Sequence, residues 1–215
     1  YDIYGNVVDQ TIERKDQAGT LIDYKVIHNT YDNMLAARRG NATHSTITRY
    51  ADLEKTLEIE RQEITNDPAT IDSRGNIVDQ TIEVFVQGNM AKRTVIHNSS
   101  ISNLGNAASQ QITSFIYNAL TGVADIETGF QEILNRSFDS DSNVKNQLVK
   151  NYLDSTATLL LDVQEIRNEL FDTRGNVLVQ RIATFADDID WALLDVKTIK
   201  NEGLDALGNA SKVTI

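Results

Sequence analysis

The chain has 215 residues, a net charge of −11, no cysteine and one proline. Without thiols there are no disulfide staples, thiolate metal sites or cysteine nucleophiles, and the redox compartment is left open. The acidic balance argues against nucleic acid and anionic membrane surfaces, which would repel it. No run reaches the roughly eighteen apolar residues of a membrane span, so no membrane insertion is expected.

From its first residues the chain is repetitive, and a fixed period decides fold class before any local feature does. Gly5-Asn6 opens the first unit (about 1–30), followed by Gln10 and Ile12, with Lys15 at the ninth place after the Asn, and then the run LIDYKVIHN (21–29). The second unit (31–67) has Gly40-Asn41, Ser45, Ile47, Tyr50 and LEIERQEITN (57–66). The third (68–100) has Gly75-Asn76, Gln80, Ile82, Phe85 and MAKRTVIHN (90–98), and the fourth (101–137) Gly105-Asn106, Gln110, Ile112, Phe115 and Ile133-x-Asn135. The fifth (138–170) uses Ser142-Asn143, Gln147, Val149, Tyr152 and LLLDVQEIRN (159–168). The sixth (171–203) has Gly175-Asn176, Gln180, Ile182, Phe185 and LLDVKTIKN (193–201), and Gly208-Asn209 starts a partial seventh (204–215). The joints are spaced 35, 35, 30, 37, 33 and 33 residues apart.

After each joint the apolar and polar positions alternate with period two, so each unit begins with a strand. In the third unit Val78, Gln80, Ile82, Val84 and Val86 point one way, and Ile77, Asp79, Thr81, Glu83 and Phe85 the other. The Ile-x-Asn runs are read as a second strand. LLLDVQEIRNEL and VADIETGFQEILNR also fit amphipathic helices, but the shared Ile-x-Asn register favours strands. The joint, spelled [apolar]-D-x-x-G-N in YDIYGN, IDSRGN, FDTRGN and LDALGN, is a tight reversal in which Asp bonds its own backbone and Gly supplies positive φ. The expected fold is all-β: a β-hairpin solenoid or spiral sheet of six repeats of about 33 residues plus a partial seventh, one array over 1–215. Its ends fall on a repeat landmark and partway through a strand, so more chain is expected beside it.

One hairpin cannot stand alone. Ordering each residue costs about 1–2 kcal/mol of backbone entropy, whereas each buried apolar side chain returns roughly 1.5–3 kcal/mol, and a unit has only a handful of them. Stability must come from stacking. The expected ladder is Asn over Asn (Asn6, Asn41, Asn76, Asn106, Asn143, Asn176 and Asn209), Gln over Gln (Gln10, Gln80, Gln110, Gln147 and Gln180) and Ile over Ile (Ile12, Ile47, Ile82, Ile112, Val149 and Ile182).

The joints YDIYGNVV, IDSRGNIV and FDTRGNVL resemble those of the YD-repeat (Rhs-type) family. That resemblance implies β-hairpins wound into a spiral sheet, in very large secreted or cell-surface proteins that enclose toxins, adhere or build shells. It covers about eight residues in each unit. The period here is longer than the family's usual one, and the tyrosine is kept at Tyr1 and Tyr31, with Phe138, Phe171, Ile71, Ile101 and Leu204 in its place elsewhere.

Chemistry is hard to place on this pattern. His28 and His97 share a slot held elsewhere by Thr65, Leu134, Arg167 and Lys200, so they are expected to face solvent; His44 has no recurring partner. Asp9/Asp79 and Glu13/Glu83 match in two units only. There is no G-x-S-x-G, H-E-x-x-H or phosphate loop. Asp139, Asp141 and Asn143 offer oxygen ligands for calcium, but lack the EF-hand spacing, and Asp as turn former is the preferred reading. The expectation is a non-enzymatic structural segment of a large extracellular or cell-surface protein, fibre or shell, without cofactor. Its partners are then its own neighbouring repeats or other copies. The alternative is an adhesin holding carbohydrate or protein with the aromatic row or with variable tips such as SFIYNALTGVADIETGF (114–130).

Overall fold

A computed structural model describes residues 1–205 and 208–215; of the last joint, 204–209, the two middle positions lie outside the described residues. In chain order the strands are β1 (Asp9–Lys15), β2 (Leu21–Thr30), β3 (His44–Tyr50), β4 (Glu58–Asn66), β5 (Asp79–Val86), β6 (Asn89–Ile101) and β7 (Ala107–Asn118). They continue with β8 (Val123–Phe138), β9 (Val144–Tyr152), β10 (Leu160–Phe171), β11 (Val177–Phe185), β12 (Leu193–Leu204) and β13 (Ala210–Thr214). One helical turn, α1 (Met34–Ala37), stands between β2 and β3. Both segments with helical periodicity are strands, β8 and β10, and cross-strand pairing satisfies the backbone of β10 and that of β8 over Phe130–Phe138. Among the described residues no helix is long and apolar enough to cross a membrane.

The thirteen strands are hydrogen-bonded in the order of the chain, and every described pairing is antiparallel. Tertiary contacts group the residues into two units. One comprises Tyr1–Asn98 with Ile112–Thr128, the other Ser99–Gln111 with Gly129–Ile215. The first contains the hairpins β1/β2 and β3/β4, strand β5 and the greater part of β6. Its fully buried groups include Ala36, Ala37 and Ala124. The second contains β9 to β13, and its buried side chains are Phe130, Leu148, Val149, Tyr152 and Val163.

The order of strands corrects the expected ladder. In a meander every strand that follows a joint lies between Ile-x-Asn strands, so like strands are never hydrogen-bonded neighbours and no Gln sits directly over Gln or Ile12-type residue over its own equivalent. The two landmarks face each other instead. Between consecutive repeats Ile27 pairs with Ile47, Ile64 with Ile82, Ile133 with Val149 and Ile166 with Ile182. One step further along the same strand face, Asn66 pairs with Gln80, Asn135 with Gln147 and Asn168 with Gln180. Inside a hairpin the glutamine faces isoleucine: Gln10 opposite Ile27, Gln80 opposite Ile96, Gln147 opposite Ile166.

The ninth position after the joint marks a β-bulge, a feature that alternation within one strand does not predict. Register shifts at Arg14/Lys15, Arg49/Tyr50, Val84/Phe85 and Thr184/Phe185, and opposite Tyr152 at Leu160/Asp162. The extra residue is always on the second strand, seven before the Ile-x-Asn asparagine: Ile22, Ile59, Ala91, Leu161 and Leu194. A bulge leaves one residue unpaired and re-aims its neighbours. Its trace in the sequence is an apolar doublet that breaks the alternation, as in Leu21-Ile22, Leu160-Leu161 and Leu193-Leu194.

Candidate functional site

The features that recur most faithfully lie at the joints and along the base of each hairpin. At Asp72 the side chain accepts from the backbone amides of Arg74 and Asn76 (2.8 and 2.9 Å) with Oδ1 and from the Asn76 side-chain amide (2.8 Å) with Oδ2. Asp72 N–H donates to the Asn76 carbonyl, and Gly75 N–H to the Asp72 carbonyl. Asp2, Asp139 and Asp172 repeat this pattern donor for donor, and Asp205 takes both bonds from Asn209. At the fourth joint Ser102 Oγ replaces the carboxylate, accepting from Asn106 N–H. The second joint carries the insertion, and there α1 takes over, with Asn33 as its N-cap accepting from the Leu35 and Ala36 amides.

The first joint touches the second, and the second the third. The Asn6 side-chain amide donates to the Ala37 carbonyl (2.7 Å) and that of Asn41 to the Gly75 carbonyl (2.9 Å), while Arg39 donates to Asn76 Oδ1 (2.9 Å). The close approach explains the glycine. At Gly75, with φ of +81°, an added Cβ would lie 2.2 Å from the Leu35 carbonyl oxygen; at Gly175, with φ of +84°, it would lie 2.6 Å from Asn143 Oδ1. The third joint thus seats on the second and the sixth on the fifth.

The Ile-x-Asn asparagines do the second part of the work. Asn29, Asn66, Asn98, Asn135, Asn168 and Asn201 each donate Nδ2–H to the carbonyl of the residue just after the joint: Val7, Ala42, Ile77, Ala107, Val144 and Val177, at 2.7–3.2 Å. At Asn66, Asn135 and Asn168 the Oδ1 accepts from the glutamine of the next repeat: Gln80 to Asn66 at 2.7 Å, Gln147 to Asn135 and Gln180 to Asn168 at 2.8 Å. A chain of amides therefore runs from one joint, through the Asn, into the following repeat. Asn29 faces Ser45 and Asn201 faces Val213, so the glutamine link is not made there. Gln10 is exposed in β1, and Gln110 lies in β7.

Asp139, the candidate calcium ligand, spends its carboxylate on the turn donors of Asp141 and Asn143, the same use made of every other joint aspartate. No cluster of three metal-ligating side chains occurs among the described residues. His28 and His97 are partly exposed but paired: Nδ1 of His28 meets Asp9 Oδ1 at 2.7 Å and Nδ1 of His97 meets Asp79 Oδ1 at 2.6 Å. The only two repeats with Asp at the third place after the joint Asn are the two with Ile-His-Asn, so the sequence carries this pairing once the two columns are compared. Exposed pairs of this kind contribute about 0–1 kcal/mol. His44 contacts the hydroxyls of Thr65 and Thr46.

Four of the five aromatics of the row make ring contacts within the protein. The Arg61 guanidinium lies 4.0 Å from the Phe85 ring centre and that of Arg93 4.5 Å from Phe115; Tyr152 packs on Phe130 and Phe185 edge-on to Trp191. No protein-family model matches the chain, and no curated protein matches it.

The joint carboxylates make stability depend on pH. Burial pushes the Asp72 carboxyl up, but the Asn76 backbone and side-chain amides together with Arg74 outweigh it and hold the group at about 2, against an ordinary 3.8. The Asn176 side-chain amide holds Asp172 well below the carboxylate range, and that of Asn143 lowers Asp139. A carboxyl lowered in the folded state stabilises the fold fully above its unfolded value and loses that contribution as pH falls through the folded one. Tm is therefore expected to drop as pH is lowered from 3.8 toward about 2. Asp72→Asn should flatten part of that drop; a variant whose pH profile parallels the parent's would show that the joint does not carry it.

Proposed function

We propose that this chain is a non-enzymatic structural repeat segment of a large extracellular or cell-surface protein, fibre or shell, in which stacking of β-hairpins is itself the function. The observation that carries this reading is the amide chain. In the first unit Gln80 of one repeat donates to Asn66 of the repeat before it, and in the second unit the same Asn–Gln link recurs at Asn135/Gln147 and Asn168/Gln180. Two further features support it: the strongest sequence signals are spent on joints and inter-repeat pairs, and four of the five aromatics of the row pack against arginines or other rings. The YD-type spelling of the joints is in keeping with giant surface proteins of hairpin repeats, and coiling of the sheet over further repeats belongs to the same proposal.

Removal of one whole repeat tests this. Deleting residues 143–175 joins Ser142 to Asn176, restores a joint and brings Asn135 opposite Gln180 and Ile133 opposite Ile182. In an array stabilised by nearest neighbours the shortened chain still folds, and its denaturant m-value falls roughly in proportion to the length removed. Deleting 143–158 takes out one strand only, leaves two Ile-x-Asn strands in succession and should not fold. A shortened chain that loses its far-UV circular dichroism after the in-phase deletion would count against a repeat array. Saturable binding on a glycan array by the intact chain would instead favour the adhesin reading.

A further inference from the structure

One repeat departs from the others at two neighbouring places. Five residues after the joint Asn the array has Thr11, Thr46, Thr81, Gln111, Leu148 and Thr214, all uncharged, but the sixth repeat has Arg181. Seven after it the array has Glu13, Thr48, Glu83, Thr113 and Lys150, but the sixth repeat has Ala183. Both side chains project from the same face of β11, as does Phe185. The small Ala183 leaves a cleft of about 250 Å³ between β10, β11 and β12, with Arg181 at one end, Phe185 and Leu193 at the other and Val196 as a wall.

The charged end is set up for an anion. Arg181 lies directly opposite Arg167 in the β10/β11 register. Like charges directly opposed across strands are destabilising. Arg167 is neutralised by Glu165, which takes two bonds from it at 3.0 and 3.1 Å, a third from Asn146 at 3.0 Å, and has Arg136 at 3.5 Å. Glu165 itself lines the cleft, its Oε1 taken up by Arg167, Asn146 and Arg136 and its Oε2 by Arg167. Arg181 is exposed and has no hydrogen bond or ion pair among the described residues. In a chain of net charge −11 a free guanidinium on a cleft is a local exception, and its fork matches a carboxylate. The other end is apolar and open: Leu193 is 58 % and Val196 39 % exposed.

We infer that this cleft binds a monocarboxylate bearing one compact apolar group, the carboxylate on Arg181 and the apolar group over Ala183 against Phe185, Leu193 and Val196. The volume suits a single ring or a branched aliphatic chain and falls below the roughly 300–1,000 Å³ of drug-sized pockets. The site is independent of the stacking role, since neither Arg181 nor Ala183 belongs to the joint or to the amide chain.

Trp191 is the only tryptophan, and its ring lies edge-on to Phe185 with centres 5.2 Å apart, so its fluorescence reports on the cleft. Titration of the full chain with phenylacetate should give a saturable change, matched by calorimetry. Arg181→Gln should weaken binding by about tenfold or more, and Ala183→Leu, which fills the cleft, should abolish it. Acetate and 2-phenylethanol, each carrying half of the recognised chemistry, should bind at least about tenfold more weakly. The proposal is overturned by the absence of saturable binding in both measurements, by Arg181→Gln titrating like the parent, or by 2-phenylethanol binding as tightly as phenylacetate. Arg181 is exposed and unpaired, so its variant decides the matter even if Ala183→Leu fails to fold.

Discussion

Replacing Gly75 by alanine should destabilise the fold by about 2–5 kcal/mol, the sum of roughly 1–2 for placing a Cβ in the left-handed region and roughly 1–3 for forcing it into packed structure. The backbone there has φ of +81°, and the new Cβ would lie 2.2 Å from the Leu35 carbonyl oxygen and 2.6 Å from its carbon. The contact is with backbone, which cannot swing aside as a side chain can. Gly5 is the control: it occupies the same place in its own joint with φ of +83°, but nothing lies within 4 Å of its added Cβ. Gly5→Ala should therefore cost only the conformational part, about 1–2 kcal/mol. Urea unfolding of the two variants separates turn geometry from seating on the preceding joint. Equal losses would mean that the joints do not bear on one another.

Asn66→Ala is expected to be the most damaging change in the amide chain, at about 2–4 kcal/mol. Asn66 is 8 % exposed, donates to the Ala42 carbonyl at 2.7 Å and accepts from Gln80 at 2.7 Å. Removing it strands a carbonyl and an amide together, and each stranded group costs about 1–3 kcal/mol, discounted where water reaches it. Asn29→Ala should cost at least about 1 kcal/mol less, because the Val7 carbonyl keeps the Tyr31 hydroxyl at 3.1 Å and Ser45 stands where glutamine would be. Gln80→Leu should cost about 1–2 kcal/mol, since it leaves Asn66 Oδ1 without its donor. The double variant Asn66→Ala/Gln80→Leu should recover part of the summed loss in a double-mutant cycle. Full additivity would mean that the two amides act independently and that the chain across repeats is not an energetic link.

Much of this arrangement is legible in the order of residues alone. Period-two alternation in repeat three puts Gln80, Ile82 and Val84 on one face and Asp79, Glu83 and Phe85 on the other, and the registers agree, because a strand's two faces follow from backbone pleating alone. The DxxGN joints form the expected reversals, since an Asp that bonds its own downstream amides and a Gly at positive φ act within six residues. The extra length of the second joint is readable as an insertion; that it forms a capped helical turn at Asn33 is not.

The bulges opposite Lys15, Tyr50, Phe85, Tyr152 and Phe185 are not legible in the same way, because they belong to a pair of strands and not to one. The Asp–His pairs are hidden because each half looks unconstrained when its column is read alone. The cleft beside Arg181 becomes visible only when Arg167, Val196 and Leu193 are brought from neighbouring strands.

By itself the sequence determined the unit: its length, its two strands, the face each side chain takes and the chemistry of its turn, all consequences of local dihedral preference and pleating. Only the tertiary structure decided who pairs with whom. The same recurring Gln, Ile and Asn serve equally in a like-on-like ladder or in alternating pairs, and no local term distinguishes the two. The distinction comes from strand order, in which the short joint returns the chain antiparallel beside its predecessor and makes the Asn of one repeat the hydrogen-bond partner of the next repeat's Gln.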